Sequence, residues 1–116
     1  MAVIRYLLSK LLPIYYPKEI NSPIWYSLRS FCKGAIEIFG QFCKTEMENA
    51  LTSEGYNAII YAAVVKNFEA VNYLSIAGFN INSCDYDGRS LLLHCLMHEQ
   101  YFLADRLIER GANINL

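Results

Sequence analysis

The sequence predicts an all-α fold, a helical solenoid, on three observations. The C-terminal half lies over itself without a gap when shifted, Gly55 meeting Gly88, a period of 33 residues. Within each copy the apolar residues recur at the spacing of two short helices. Each second helix is followed by a glycine able to take a left-handed φ and close it. In the same frame Leu74 meets Leu107, Gly78 meets Gly111, and Asn80-Ile81-Asn82 meets Asn113-Ile114-Asn115. Ile59/Leu92, Ile60/Leu93 and Phe68/Tyr101 are conservative matches.

Residues 1–22 form an N-terminal helix, Met1–Leu12, and a connector carrying Pro13, Pro17 and Pro23 at its boundary. The helix is apolar except for Arg5, Ser9 and Lys10 on one side. Lys10 and Pro13 interrupt the run and bulky Ile14, Tyr15 and Tyr16 follow, which does not suit a signal peptide. No stretch reaches the roughly 18–20 apolar residues needed to span a bilayer. The favoured role is to cap the first repeat. Contact with a membrane interface through residues 1–16, or targeting, is the less favoured alternative, since Arg5 and Lys10 are few charges to hold an anionic surface.

Residues 23–53 read as a degenerate helical capping repeat. Trp25, Leu28, Phe31 and Cys32 line one helix and Ile36, Phe39, Phe42 and Cys43 a second, with Gly34 between them, set against Lys66. A capping repeat must differ from its neighbours because one face meets none.

Residues 54–86 form the first clear repeat. Ile59, Ile60, Ala62 and Ala63 mark a helix over 57–66, with Asn57 as N-cap. Asn67-Phe68 breaks it, Val71, Leu74 and Ser75 mark a second helix over 69–76, and Gly78 follows. Residues 87–116 repeat this with Ser90 as N-cap, helices over 91–98 and 103–110, a break at Glu99-Gln100, then Gly111. Between the copies, Asn82-Ser83-Cys84-Asp85-Tyr86-Asp87-Gly88 has the short polar residues and glycine of a tight turn. The sequence stops at Asn115-Leu116, where a further repeat would start, leaving one flank of Leu107 and Ile108 bare. Either the chain is a piece of a longer array, the favoured reading, or this edge supports self-association.

Gly55…Ala62-Ala63…Val71…Leu74…Gly78…Asn82…Asp85…Gly88, and then Leu92…Leu107-Ile108…Gly111-Ala112…Asn115, resemble the ankyrin-repeat family in order and spacing. The Thr-Pro-Leu-His stretch of that family is here Asn57-Ala58-Ile59-Ile60 and Ser90-Leu91-Leu92-Leu93. The histidine's buried hydrogen bonds are therefore expected to give way to apolar packing. The resemblance implies a protein–protein interaction module with a concave face made by the finger turns and first helices. Carried over residue by residue, that face is Glu54, Tyr56, Val64 and Val65 in one copy and Tyr86, Asp87, Arg89, Met97 and His98 in the next. Tyrosine, arginine and methionine are enriched at interfaces, so Tyr56, Tyr86 and Arg89 are the expected anchors.

Composition is consistent with this. A hydrophobic share of 54% excludes a disordered tail, and a net charge of −1 gives no electrostatic case for nucleic acid. Cys32, Cys43, Cys84 and Cys95 form no CxxC pair and sit among apolar neighbours, as reduced core residues of an intracellular, cytoplasmic protein would.

His94 and His98 lie four residues apart, a spacing that can bind zinc, but without the glutamate of HExxH or a third ligand they read as surface histidines. Asp85 and Asp87 read as solvated turn formers, with nothing near them to drive their pKa values apart. No nucleophile elbow or phosphate-binding glycine loop is present in the sequence. No catalytic, cofactor or metal residues are expected.

Overall fold

A computed structural model describes residues 23–42, 44–49 and 51–114. The N-terminal helix and connector, Cys43 and Leu116 lie outside the described residues. The helices are α1 (Pro23–Arg29), α2 (Lys33–Phe42), α3 (Lys44–Asn49), α4 (Ala58–Val64), α5 (Phe68–Ile76), α6 (Leu91–Met97) and α7 (Tyr101–Glu109). Among the described residues the β pairing is one isolated bridge, Cys84 with Ser90. The chain is a helical solenoid.

Its two rows follow from the packing order. First helices stack on first helices, α1 on α4 and α4 on α6, while second helices stack behind them, α2 on α5 and α5 on α7. The first row buries an apolar stripe: Ile24, Trp25 and Leu28 in α1, Ile59, Ile60, Ala62 and Ala63 in α4, Leu91 and Cys95 in α6. Side chains of Ala62 and Ala63 are small enough to let neighbouring helices approach. Trp25 meets the Tyr61 ring edge-on at 5.2 Å, joining the first repeat to the second.

The capping is local chemistry repeated. Asn57 Oδ1 accepts from the Ile60 amide at 3.0 Å, and Ser90 Oγ accepts from the Leu93 amide at 3.1 Å. At the far end of α5 the Phe79 amide donates to Leu74 O and the Gly78 amide to Ser75 O. Ala112 and Gly111 close α7 on Leu107 and Ile108 by the same pattern. Gly78 and Gly111 have φ of 91° and 102°, a region that costs a residue with Cβ.

The joint within each pair has the same geometry without glycine. Phe31, Lys66 and Glu99 all have positive φ, and each is followed by an amide that donates back to Ser27, Ala62 or Cys95. This corrects the sequence reading of the first pair. The residue equivalent to Lys66 is Phe31, not Gly34, and Gly34 lies inside α2. Phe31 and Cys32 therefore leave the helix and are exposed, while Trp25, Leu28, Ile36 and Phe39 are buried as expected. The break residues Asn67 and Gln100 are N-caps of the second helices, so those helices begin at Phe68 and Tyr101, before the expected 69 and 103. Helix α3 has no counterpart in the sequence reading.

Candidate functional site

The turn entering α4 and the turn entering α6 are built on the same hydrogen bonds. In the first, the Thr52 amide donates to Tyr56 O at 2.9 Å, the Gly55 amide donates to Thr52 O at 3.0 Å, and the Tyr56 amide donates to Thr52 Oγ1 at 3.2 Å. In the second, the Asp85 amide donates to Arg89 O and the Gly88 amide to Asp85 O, each at 3.0 Å, and the Arg89 amide donates to Asp85 Oδ1 at 2.9 Å. Asp85 thus takes the place of Thr52, 33 residues on.

The carboxylate adds two contacts that the hydroxyl lacks. Asp85 Oδ1 also accepts from the Asp87 amide, and Oδ2 lies 2.9 Å from His94 Nε2. An ionised carboxylate can only accept, so Nε2 donates. Both side chains are buried, 4% exposed for His94 and 1% for Asp85. Burial alone would push the Asp85 carboxyl up, but the Arg89 amide, the His94 ring and the Asp87 amide together hold its pKa below the usual value.

Three expectations change here. Asp85 is a buried brace, whereas Asp87 is exposed as expected. His94 is a core residue, not a surface one. Apolar packing replaces the family's histidine in the repeat at 54–86, where Ile60 is fully buried, but in the next repeat His94, one position after the family's histidine, makes a buried hydrogen bond with Asp85. The Tyr56 ring stands edge-on to His94 at 5.9 Å, and the His98 ring is tilted over Phe68 at 5.7 Å. The two histidines thus engage different neighbours. Among the described residues no group of three potential ligands comes together for a metal ion.

Neighbouring turns are joined to each other. The Tyr86 amide donates to Glu54 O at 3.2 Å, and the Tyr86 ring covers Gly55, where a Cβ would stand 2.5 Å from the ring. Gly55 also has φ of 83°, so both space and backbone demand glycine. Asn57 Nδ2 reaches Ser83 Oγ at 2.6 Å behind them.

Of the nine carried-over positions, Glu54, Tyr86, Asp87, Arg89 and Met97 are exposed. Tyr56, Val64, Val65 and His98 are half-buried, the first three packed against the core. Glu54 has its carboxyl held below the usual range, chiefly by the Thr52 hydroxyl. Exposed Tyr101 and Phe102 at the start of α7 were missed. Position 102 corresponds to exposed Glu69, so an apolar residue at that frame position was the available signal.

The cysteines divide. All three described cysteines are free: Cys95 is buried in the core and its thiol is pushed up to about 11 by desolvation, whereas Cys32 and Cys84 are exposed, against the expected core position. Among the described residues no helix is long and apolar enough to cross a membrane. Residues 1–16, named as an alternative membrane contact, lie outside them.

Stacked helix pairs with joined turns define a repeat solenoid. The family model of ankyrin repeats, three copies, matches residues 10–116, and the chain belongs to the ankyrin-repeat family. No curated protein and no solved structure matches it. Ankyrin repeats generally mediate protein–protein interaction and are typically non-enzymatic modules.

Proposed function

We propose that the chain is an intracellular adaptor that holds a protein partner on the surface formed by its turns and first helices. Glu54, Tyr86, Asp87, Arg89 and Met97 make the direct contacts. Tyr56, Val64, Val65 and His98 support them from the half-buried layer beneath.

The observation that carries this reading is the bracing of the turns. Asp85 ties two turn amides to His94 in the core, and Tyr86 ties that turn to its neighbour through Glu54 O and Gly55. Tyr86 still leaves 72% of its surface exposed, so a fixed aromatic stands ready beside Asp87 and Arg89. Side chains held in place lose little entropy on docking, which favours affinity without large area.

A photo-crosslinking amino acid at position 86, and separately at exposed Ile76 on α5, tests the surface. Position 86 is expected to capture a cellular protein that Asp87→Ala/Arg89→Ala no longer yields. Equal capture from position 76, or capture indifferent to the double substitution, would count against it. Tyr56 is unsuitable as a probe because its ring packs on His94.

A further inference from the structure

At the C-terminal edge Leu107 is fully buried, against expectation, and Ile108 is exposed, an aliphatic edge on which nothing selects an occupant. The turn edge is more specific. There the Tyr86 ring lies face-down on Gly55. A Cβ at Gly55 would stand 2.6, 2.5 and 2.8 Å from Cγ, Cδ1 and Cε1, three contiguous ring atoms at nearly one distance. A point beyond the rim of the ring would be much farther from the outer two, so the ring is flat against the Gly55 backbone. Its opposite face is turned outward, which accounts for the large exposure of this side chain. The bond from the Tyr86 amide to Glu54 O holds the same residue from the backbone side.

Carboxylates flank that ring. Glu54 immediately precedes Gly55, and Asp87 immediately follows Tyr86. Both are exposed, and among the described residues neither is in an ion pair. Asp85 adds a buried carboxylate beneath them. Within residues 52–56 and 85–89, Glu54, Asp85 and Asp87 face one guanidinium, Arg89, whereas the whole chain is nearly balanced at −1. Two other exposed or core rings already have a cation over them. Arg29 stands 5.6 Å from the Tyr26 ring centre and Lys44 stands 5.8 Å from that of Phe79. Among the described residues none stands over Tyr86, the ring with an acid on either side.

We propose that the partner presents an arginine to Tyr86, its guanidinium stacked on the outward ring face and its N–H groups donating to the Glu54 and Asp87 carboxylates. This rests on the partner-binding reading above and names the chemistry that the surface takes. A guanidinium is planar, so it covers a ring while its fork of donors reaches acceptors at the ring's margin. Arg89 alone leaves the region net negative, so a further cation is attracted. The ring is already fixed on Gly55, and little ordering remains to be done on docking.

Nitrogen-15 NMR of the full chain, titrated at low salt with a capped peptide alternating arginine and valine, tests the site directly. The amide resonances of Glu54, Gly55, Tyr86 and Asp87 are expected to shift, with a Kd on the order of 1 mM. The same peptide carrying citrulline, a neutral isostere of arginine, is expected to bind at least about tenfold more weakly. Glu54→Gln/Asp87→Asn should weaken the arginine peptide about five- to tenfold, and Tyr86→Leu, which still covers Gly55, about threefold. Asp105→Asn/Glu109→Gln removes the same charge from exposed positions on α7 and should leave the affinity within about twofold. The spectrum of each variant shows that it is folded. The titration needs no cellular partner, so its failure is distinct from a failure to capture one at position 86. Equal binding of the citrulline peptide would overturn the proposal, as would an absence of shifts at the turns. So would an affinity indifferent to Glu54→Gln/Asp87→Asn, or one lowered as much by the α7 pair.

Discussion

The repeat at residues 54–86 and the one after it share one backbone plan but live in different surroundings. Their turns, N-caps, positive-φ joints and terminal glycines coincide position by position. Their burial does not: among the described residues α4 and α5 have helix neighbours on both sides, whereas α6 and α7 have them on one. Local sequence therefore decides the shape of a repeat, and its neighbours decide how much that shape is worth in stability. Pairs of matched substitutions can separate the two contributions.

The largest separation is expected at Ile60 and Leu93. Ile60 is fully buried and its truncation to alanine should cost about 3 kcal/mol, in lost transfer energy and a residual cavity. Leu93→Ala, at the same frame position but facing outward, should cost less than about 1 kcal/mol. Urea unfolding measures both. Similar costs would mean that the last repeat is covered as well as the one before it.

The turns offer the next contrast. Asp85→Ala strips the Asp87 and Arg89 amides and His94 of their acceptor and should cost about 2–4 kcal/mol, since bonds to a charged group are the stronger ones. Thr52→Ala loses the neutral bond to the Tyr56 amide, worth about 1 kcal/mol, together with the hydroxyl's contact to the exposed Glu54 carboxylate. Acid distinguishes them further. A carboxyl with its pKa lowered on folding contributes stability that is fully present above its unfolded value, about 3.9, and lost as pH falls through the folded value. The stability gap between wild type and Asp85→Asn should therefore close as pH drops below about 4, while the gap for Thr52→Ala should change much less, because the Glu54 carboxylate that its hydroxyl also holds is fully exposed. A gap for Asp85→Asn that does not change with pH would show that the charge contributes nothing.

Second-helix caps differ as well. Asn67 is buried, accepts from the Ala70 amide at 3.2 Å and donates to Leu28 O at 3.0 Å, so it fastens α5 to α1. Its counterpart Gln100 makes no side-chain cap. Asn67→Ala should lower stability by about 1–2 kcal/mol and Gln100→Ala by a few tenths at about the detection limit, read from thermal melts.

Much of this was legible in the residues because a period compares the chain with itself. Gly55/Gly88 and Gly78/Gly111 mark backbone that only a few residues accept, so matching them fixes the frame before any helix is assigned. The polar brace was not legible. His94 reads as exposed by spacing to His98, and Asp85 reads as solvated by its turn; each is buried only because the other satisfies it, a pairing nine residues apart that no single-residue rule reports. The first helix pair was misregistered for a related reason. Its joint uses Phe31 where glycine or a polar residue was the expected punctuation, and Gly34, the visible glycine, lies in a helix.

The joint also supplies the smallest of the matched tests. Glu99 has φ of 60° and Lys66 has φ of 67°, values that cost an L-residue roughly 1 kcal/mol relative to glycine. Part of that gain is returned, because glycine adds freedom to the unfolded chain. Glu99→Gly should then stabilise by about 0.5 kcal/mol, and Lys66→Gly by a similar amount, since the joint's geometry is set by local backbone hydrogen bonds to Cys95 and Ala62 rather than by neighbouring repeats. Equal shifts in chemical unfolding at both sites would show a feature owned by the repeat itself. A gain at Glu99 with none at Lys66 would instead place the strain under the control of the flanking helix pairs, and the division between local shape and neighbour-dependent stability would have to move.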